Sequence, residues 1–227
     1  STLFPYTTLF RSPYREHDSM RLIVVAALAF ILAGCATQPA LGTVDFPISC
    51  SRPAQVEFNR AVALLHNMTY PQAREAFQYV TEIEPGCAMA HWGIAMTLFQ
   101  PLWPTRPSPQ GLLQGWDEVQ KAKQGMGTLR EQLFIAATEA FFAEPASRDY
   151  WSRIRSWESA MEHVYRSFPN DPQAATFYAL AHLAASTPAT ARTNADRAAE
   201  ILASVLARDP DHPGRSEEHT SELQSPI

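Results

Sequence analysis

Glycine is scarce in this chain, with 9 residues in 227, and cysteine scarcer still, with 3. So few glycines leave no Gly-rich phosphate loop and no GxSxG nucleophile elbow. The cysteines include no CxxC pair on which a zinc or thiol-redox site could be built. Positive charge is also short: 18 Lys and Arg stand against 23 Asp and Glu, a net charge of −5, and there is no basic run. That balance excludes nucleic acid as the expected partner. No His-x3-His or HExxH pair occurs, and Glu82 with Glu84 or Asp117 with Glu118 fall at neighbouring positions that face different ways on a helix. Pattern alone therefore assigns no catalytic residue, no metal ligand and no cofactor. An uncharged and wholly apolar run lies near the start, Leu22–Ala33. As a helix it spans about 18 Å, short of the roughly 30 Å hydrocarbon core of a bilayer.

That run follows Met20 and Arg21 and has the length of a signal-peptide core, so residues 20–34 are expected to be a leader. It ends in Leu32-Ala33-Gly34-Cys35, which resembles the lipobox of bacterial lipoproteins. The resemblance implies cleavage before Cys35, a diacylglycerol on its sulfur and an acyl group on its amine. At about 0.8 kcal/mol per buried methylene, several chains give stable anchoring. In that family an Asp after the Cys favours inner-membrane retention, so Ala36 implies the outer membrane, facing the periplasm. Residues 35–51 are then expected to be the lipidated N-terminus and a tether, with Pro39, Gly42 and Pro47 and no amphipathic period. The two ends read differently. Thr2–Ser12 and Arg215–Ser225 can both be encoded by the DNA of sequencing-library adapters, so residues 1–12 and 215–227 are set aside from fold reasoning, and 13–19 are expected to be upstream read-through.

What remains, residues 52–214, is dominated by helical periodicity. Ala61, Leu64 and Leu65 share one face, and Ala73, Phe77 and Val80 share another after the break at Asn67–Pro71. Ala73, Ala160 and Ala198 each have an apolar residue four places on (Phe77, Val164, Leu202) and a Pro twelve places on (Pro85, Pro172, Pro210). Small residues let two helices approach, the apolar residue lies one turn further, and the Pro suits the opening of the next helix. Ala61, Tyr70, Ala73, Phe77 and Pro85 fall at the spacing of the 34-residue tetratricopeptide repeat, which this chain resembles. Glu57 and Arg60 stand where that motif usually carries Trp and Leu. The resemblance implies an all-α, right-handed superhelix of antiparallel helix hairpins, about eight helices in all and cut short at its C-terminal end. A last helix, Asn194–Arg208, would then leave Ile201, Leu202, Val205 and Leu206 partly exposed.

Other features are local. Cys50 precedes the first repeat helix and Cys87 follows its antiparallel partner, so the hairpin brings both to one end; a bridge is expected there, two free thiols being the alternative. A helix over Ala88–Phe99 must stop before Pro101, Pro104, Pro107 and Pro109, which make an ordered elbow around Leu102 and Trp103. The next helix runs from Ser108 or Pro109 towards Met126. Thr128 and Glu131 form a capping-box pattern opening a helix to about Phe142; Asp149 and Asp171-Pro172 open two more.

In tetratricopeptide arrays the first helix of each hairpin lines a concave groove. The resemblance therefore implies a protein or peptide partner bound there, with Arg60, His91, Trp92, Met96, Tyr178 and His182 as groove residues and Trp92 and Trp103 as a ligand-facing patch. The expectation is a lipid-anchored scaffold that recognises rather than catalyses. The alternative is an array that cups a small ligand such as a glycan or a metal, with hydrolytic chemistry completed by residues beyond Gly214.

Overall fold

A computed structural model describes residues 41–125 and 127–214; the readings placed on the leader, on Cys35, on Met126 and on both adapter-like ends lie outside them. Among the described residues the chain is all-α, with eight helices and no strand. They are α1 (Arg52–His66), α2 (Tyr70–Ile83), α3 (Ala88–Met96), α4 (Pro109–Gln124), α5 (Leu129–Phe142), α6 (Tyr150–Ser167), α7 (Pro172–Ala184) and α8 (Ala191–Leu206).

Their starts follow from capping chemistry. Pro53, Pro71, Pro109 and Pro172 occupy first-turn positions, where a missing N–H breaks no helical bond. Ser108, Asp149 and Asp171 accept hydrogen bonds from the first-turn amides of α4, α6 and α7, and Thr128 with Glu131 completes a capping box on α5. α3 ends at Met96, before Phe99, because Thr97 turns out of the helix: its hydroxyl donates to Ile94 O at 2.7 Å, and its own carbonyl accepts from Arg74 Nη2 at 3.0 Å. α8 begins earlier than Asn194 because a hydroxyl-bonded turn, Thr187 N–H to Thr190 Oγ1 at 3.0 Å, starts it.

Each helix packs on its sequence neighbours, and α3 also touches α1 and α5. Ala61, Ala73, Phe77 and Val80 are fully buried between them. A Cβ on Gly93 would lie 2.2 Å from the Phe77 ring, so α3 sits directly on α2 only because that position is glycine.

The segment before α1 is not a tether from Leu41 onwards. Val44 and Phe46 are buried, and Phe46 lies among the odd-numbered helices, with ring centroids 5.3 Å from Phe58 of α1, 5.5 Å from Trp92 of α3 and 4.9 Å from Phe134 of α5. Trp92 in turn meets Phe177 of α7 at 5.4 Å. The first helices of all the hairpins thus converge on a core that the chain fills with its own residue. Two polar clasps and a disulfide hold the segment there. Ser49 donates its N–H and hydroxyl to the Glu131 carboxylate at 2.7 and 2.5 Å, and Thr128 N–H donates to the same group at 2.7 Å. Gln55 Nε2 donates to Phe46 O at 2.9 Å. Cys50 and Cys87 are joined by a disulfide, fastening the segment to the start of α3.

The C-terminal loop closes on the same segment. Thr43 N–H donates to Asp211 O at 2.9 Å, and Gly42, with φ +79°, passes so close that a Cβ would lie 2.5 Å from Asp211 O. His66, Gln173 and His212 form a buried polar row with contacts of 2.9 Å on either side of the Gln173 amide. Gly214 N–H donates to His212 Nδ1 at 3.0 Å, which places the proton of the neutral ring on Nε2. The amide must then turn its oxygen to His212 and its NH2 to His66. Burial, reinforced by His66, pushes His212 down to about 3, so the ring is neutral.

α8 corrects one expectation: Ile201, Leu202 and Val205 are buried against the preceding helix, and only Leu206 of that face is partly exposed. One packed neighbour is enough here to cover most of the apolar stripe of α8. No helix among the described residues is long and apolar enough to cross a membrane.

Candidate ligand-binding site

The residues nominated for a groove do not form one open surface. Trp92 is 1% exposed and surrounded by Phe46, Phe134 and Phe177, so it is core and not part of a ligand-facing patch. Met96 is buried and its sulfur accepts the Thr138 hydroxyl at 3.3 Å. Tyr178 is buried and stacks on Tyr165 at 5.3 Å; burial, then Glu162 and Glu158, push its hydroxyl above the ordinary value. The cause is shared for Trp92 and Phe134: the face on which they lie is covered by Leu41–Ser51. Arg60 is exposed and paired with Glu57 at 2.6 Å, a helix-surface pair of small energetic weight.

His91 and His182 are half-buried, and each meets a carboxylate from the helix packed beside it. His91 Nδ1–H donates to Glu118 at 2.7 Å, while Lys121 donates to the other carboxylate oxygen at 2.6 Å. Burial pushes Glu118 up, but the bonds and charges of His91 and Lys121 outweigh it and hold the carboxyl below its ordinary value. His182 Nδ1–H donates to Glu158 at 2.6 Å. Both contacts orient an imidazole as a general base would need, yet neither His lines the depression on α6, the cavity between α4 and α5 or the one beside the elbow. Their role in this geometry is to pin α3 to α4 and α6 to α7.

The nominated aromatic that does face solvent is Trp103, 48% exposed, in the proline-rich elbow between α3 and α4. The elbow is rigid. Trp103 N–H donates to Gln100 O at 3.1 Å, and Thr105 donates to Gln100 Oε1 at 2.9 Å. Arg106 donates to Trp103 O at 3.3 Å and lays its guanidinium over the Tyr150 ring, 3.6 Å from its centre, and 5.5 Å from that of Trp151. Trp151, at the start of α6, is 45% exposed. Burial pushes the Tyr150 hydroxyl above its ordinary value against the Arg106 charge, so it stays a donor.

Beside this cluster lies a cavity of about 400 Å³. Its walls carry Arg74, Gln100, Thr105, Arg106, Gln110 and Gln114, and no Asp or Glu. Planar amides, hydroxyls and guanidiniums converging on one space, with two exposed tryptophans alongside, can hold a polyhydroxylated ligand by paired hydrogen bonds and ring stacking. A larger depression of about 600 Å³, with Arg148, Ser152, Arg155 and His163, is an open face of α6 whose lining includes no Phe, Tyr or Trp. Sequence reasoning found Trp103 but missed Arg74, Arg106, Tyr150 and Trp151; the local signal was the run of prolines around Arg106, while Arg74 comes from α2 and Tyr150 and Trp151 from α6. No family model, curated protein or solved structure matches the chain.

Proposed function

We propose that this chain is a lipid-anchored envelope protein that binds a saccharide at the proline-rich elbow, on a tetratricopeptide-like right-handed superhelix of hairpins. The anchor rests on Leu32-Ala33-Gly34-Cys35. Support for the array comes from the recurring Ala, apolar and Pro offsets together with helices that pack in sequence order. The observation that carries the binding reading is the cavity of about 400 Å³, walled by amides, hydroxyls and guanidiniums beside exposed Trp103 and Trp151. A sugar ring offers vicinal hydroxyls to the amides and an apolar C–H face to the indoles. The function is recognition, with a rigid site that loses little freedom on binding.

A second reading, a scaffold for a protein or peptide partner, is favoured by the same exposed Trp and Arg side chains, which are the residue types that dominate protein interfaces. One experiment separates the two. Full-length protein in detergent is titrated with a panel of oligosaccharides by calorimetry, alongside Trp103→Ala and Trp151→Ala, and the same variants are tested for capture of envelope proteins by crosslinking. Saccharide binding weakened about tenfold or more by either substitution, about 1.4 kcal/mol, supports the first reading. No saccharide binding, with a crosslinked partner lost in the variants, supports the second and overturns the first.

A further inference from the structure

We propose that the saccharide taken by the elbow is anionic, a sugar of the hexuronic acid type whose carboxylate is received by Arg106 and Arg74. This rests on the saccharide reading of the same cavity. Among the described residues Arg60, Arg130, Arg166 and Arg197 pair with carboxylates, whereas Arg148, Arg155 and Arg208 bond only to carbonyls and hydroxyls. Arg74 and Arg106 have no carboxylate partner among the described residues, and the cavity they share has no acidic wall residue.

Their free donors are positioned by other contacts. Arg74 commits Nε and Nη2 to Thr97, each at 3.0 Å, which fixes the plane of its guanidinium and leaves Nη1 without a partner among the described residues. Arg106 is held flat on Tyr150 and anchored to Trp103 O through Nη1, so the stacked face is used and the guanidinium edge is left to bond. A stacked guanidinium presents its N–H groups in the plane that matches a carboxylate. Two like charges facing one water-filled space repel, and an anion between them removes that repulsion as well as adding bonds. A neutral sugar would satisfy Gln110 and Gln114 but leave both cations uncompensated. The half-exposed indoles of Trp103 and Trp151 remain for the ring's C–H face.

The test uses full-length protein and length-matched pairs of oligosaccharides, each a hexuronate and its neutral hexose counterpart in the gluco, galacto and manno series, followed by calorimetry and tryptophan fluorescence. The expected result is that in at least one series the hexuronate binds about tenfold or more tightly than its neutral partner at low salt. The preference should shrink in high salt. Arg106→Gln, at an exposed position, should abolish the preference, weakening the hexuronate by about tenfold more than its neutral partner, with folding checked by circular dichroism. Arg74→Gln serves as the second variant, with its helix content checked by circular dichroism. Equal binding of both members of every pair overturns the anionic proposal and leaves the saccharide reading standing. Binding of no sugar in any series, with an acidic peptide binding instead, overturns both.

Discussion

Glu131 joins the segment before α1 to the start of α5, and its removal makes a quantitative test. The carboxylate is buried at 1% exposure and accepts from Ser49 N–H, Ser49 hydroxyl, Thr128 N–H and Thr128 hydroxyl at 2.5 to 2.9 Å. Hydrogen bonds to a charged acceptor contribute about 1.5 to 3 kcal/mol each, and loss of a cap about 1 kcal/mol. Four bonds sharing two oxygens do not add, so Glu131→Ala should destabilise the protein by about 3 to 5 kcal/mol. Glu131→Gln is the sharper variant. It keeps the shape, but whichever way the amide turns its NH2 group faces a backbone N–H, because Ser49 N–H and Thr128 N–H approach opposite oxygens. It should therefore lose roughly 2 kcal/mol or more in spite of being isosteric. Urea midpoints report the loss, and hydrogen exchange should show Leu41–Ser51 releasing first. Burial pushes Glu131 up, but the bonds from Ser49 and Thr128 outweigh it and hold the carboxyl below its ordinary value. Its contribution is thus complete above the ordinary carboxyl range and is lost as pH falls through the depressed value. A loss under about 1 kcal/mol in both variants would refute the clasp.

Reduction of the Cys50–Cys87 bridge, which closes a sequence separation of 37, should lower stability by about 3 to 4 kcal/mol in the chain-entropy model; urea unfolding with and without dithiothreitol measures it. His212 is held down at about 3 from an ordinary 6.5, so the unfolded chain takes a proton that the folded chain refuses. Stability should fall below pH 6.5 by about 1.4 kcal/mol per unit, or about 2 kcal/mol by pH 5, and His212→Gln should flatten that slope.

Features confined to a few neighbouring residues were legible. The Thr128 and Glu131 capping box and the Asp149 and Asp171 caps need only their own helix turns, and the helices they open fall where periodicity puts them. Contacts between distant segments were not legible. Phe46 is one aromatic in a stretch with no period, and its burial depends on Phe58, Trp92 and Phe134, which only the fold assembles. The burial of Trp92 follows from that: a helix face reads as a groove until something covers it. The pairing of Glu118 and Glu158 with histidines was not legible because those histidines lie 27 and 24 residues away. The elbow was visible as a run of prolines, but the cavity beside it borrows Arg74 from α2 and its aromatic neighbours from α6.

The closure of the C-terminal loop onto Leu41–Val44 bears on the order in which the molecule folds. A stack of helical hairpins joined only to their neighbours can form piecemeal and fray from either end. Here Ser49 meets a partner 82 residues away, and Thr43 bonds to Asp211. Those pairings can form only after the intervening helices are in place, so they raise the average sequence separation of contacts and slow the last stage of folding. They also tie the first described segment to the last, so that neither end can open without breaking the other's contacts. Unfolding should accordingly be a single transition rather than a progressive loss of repeats.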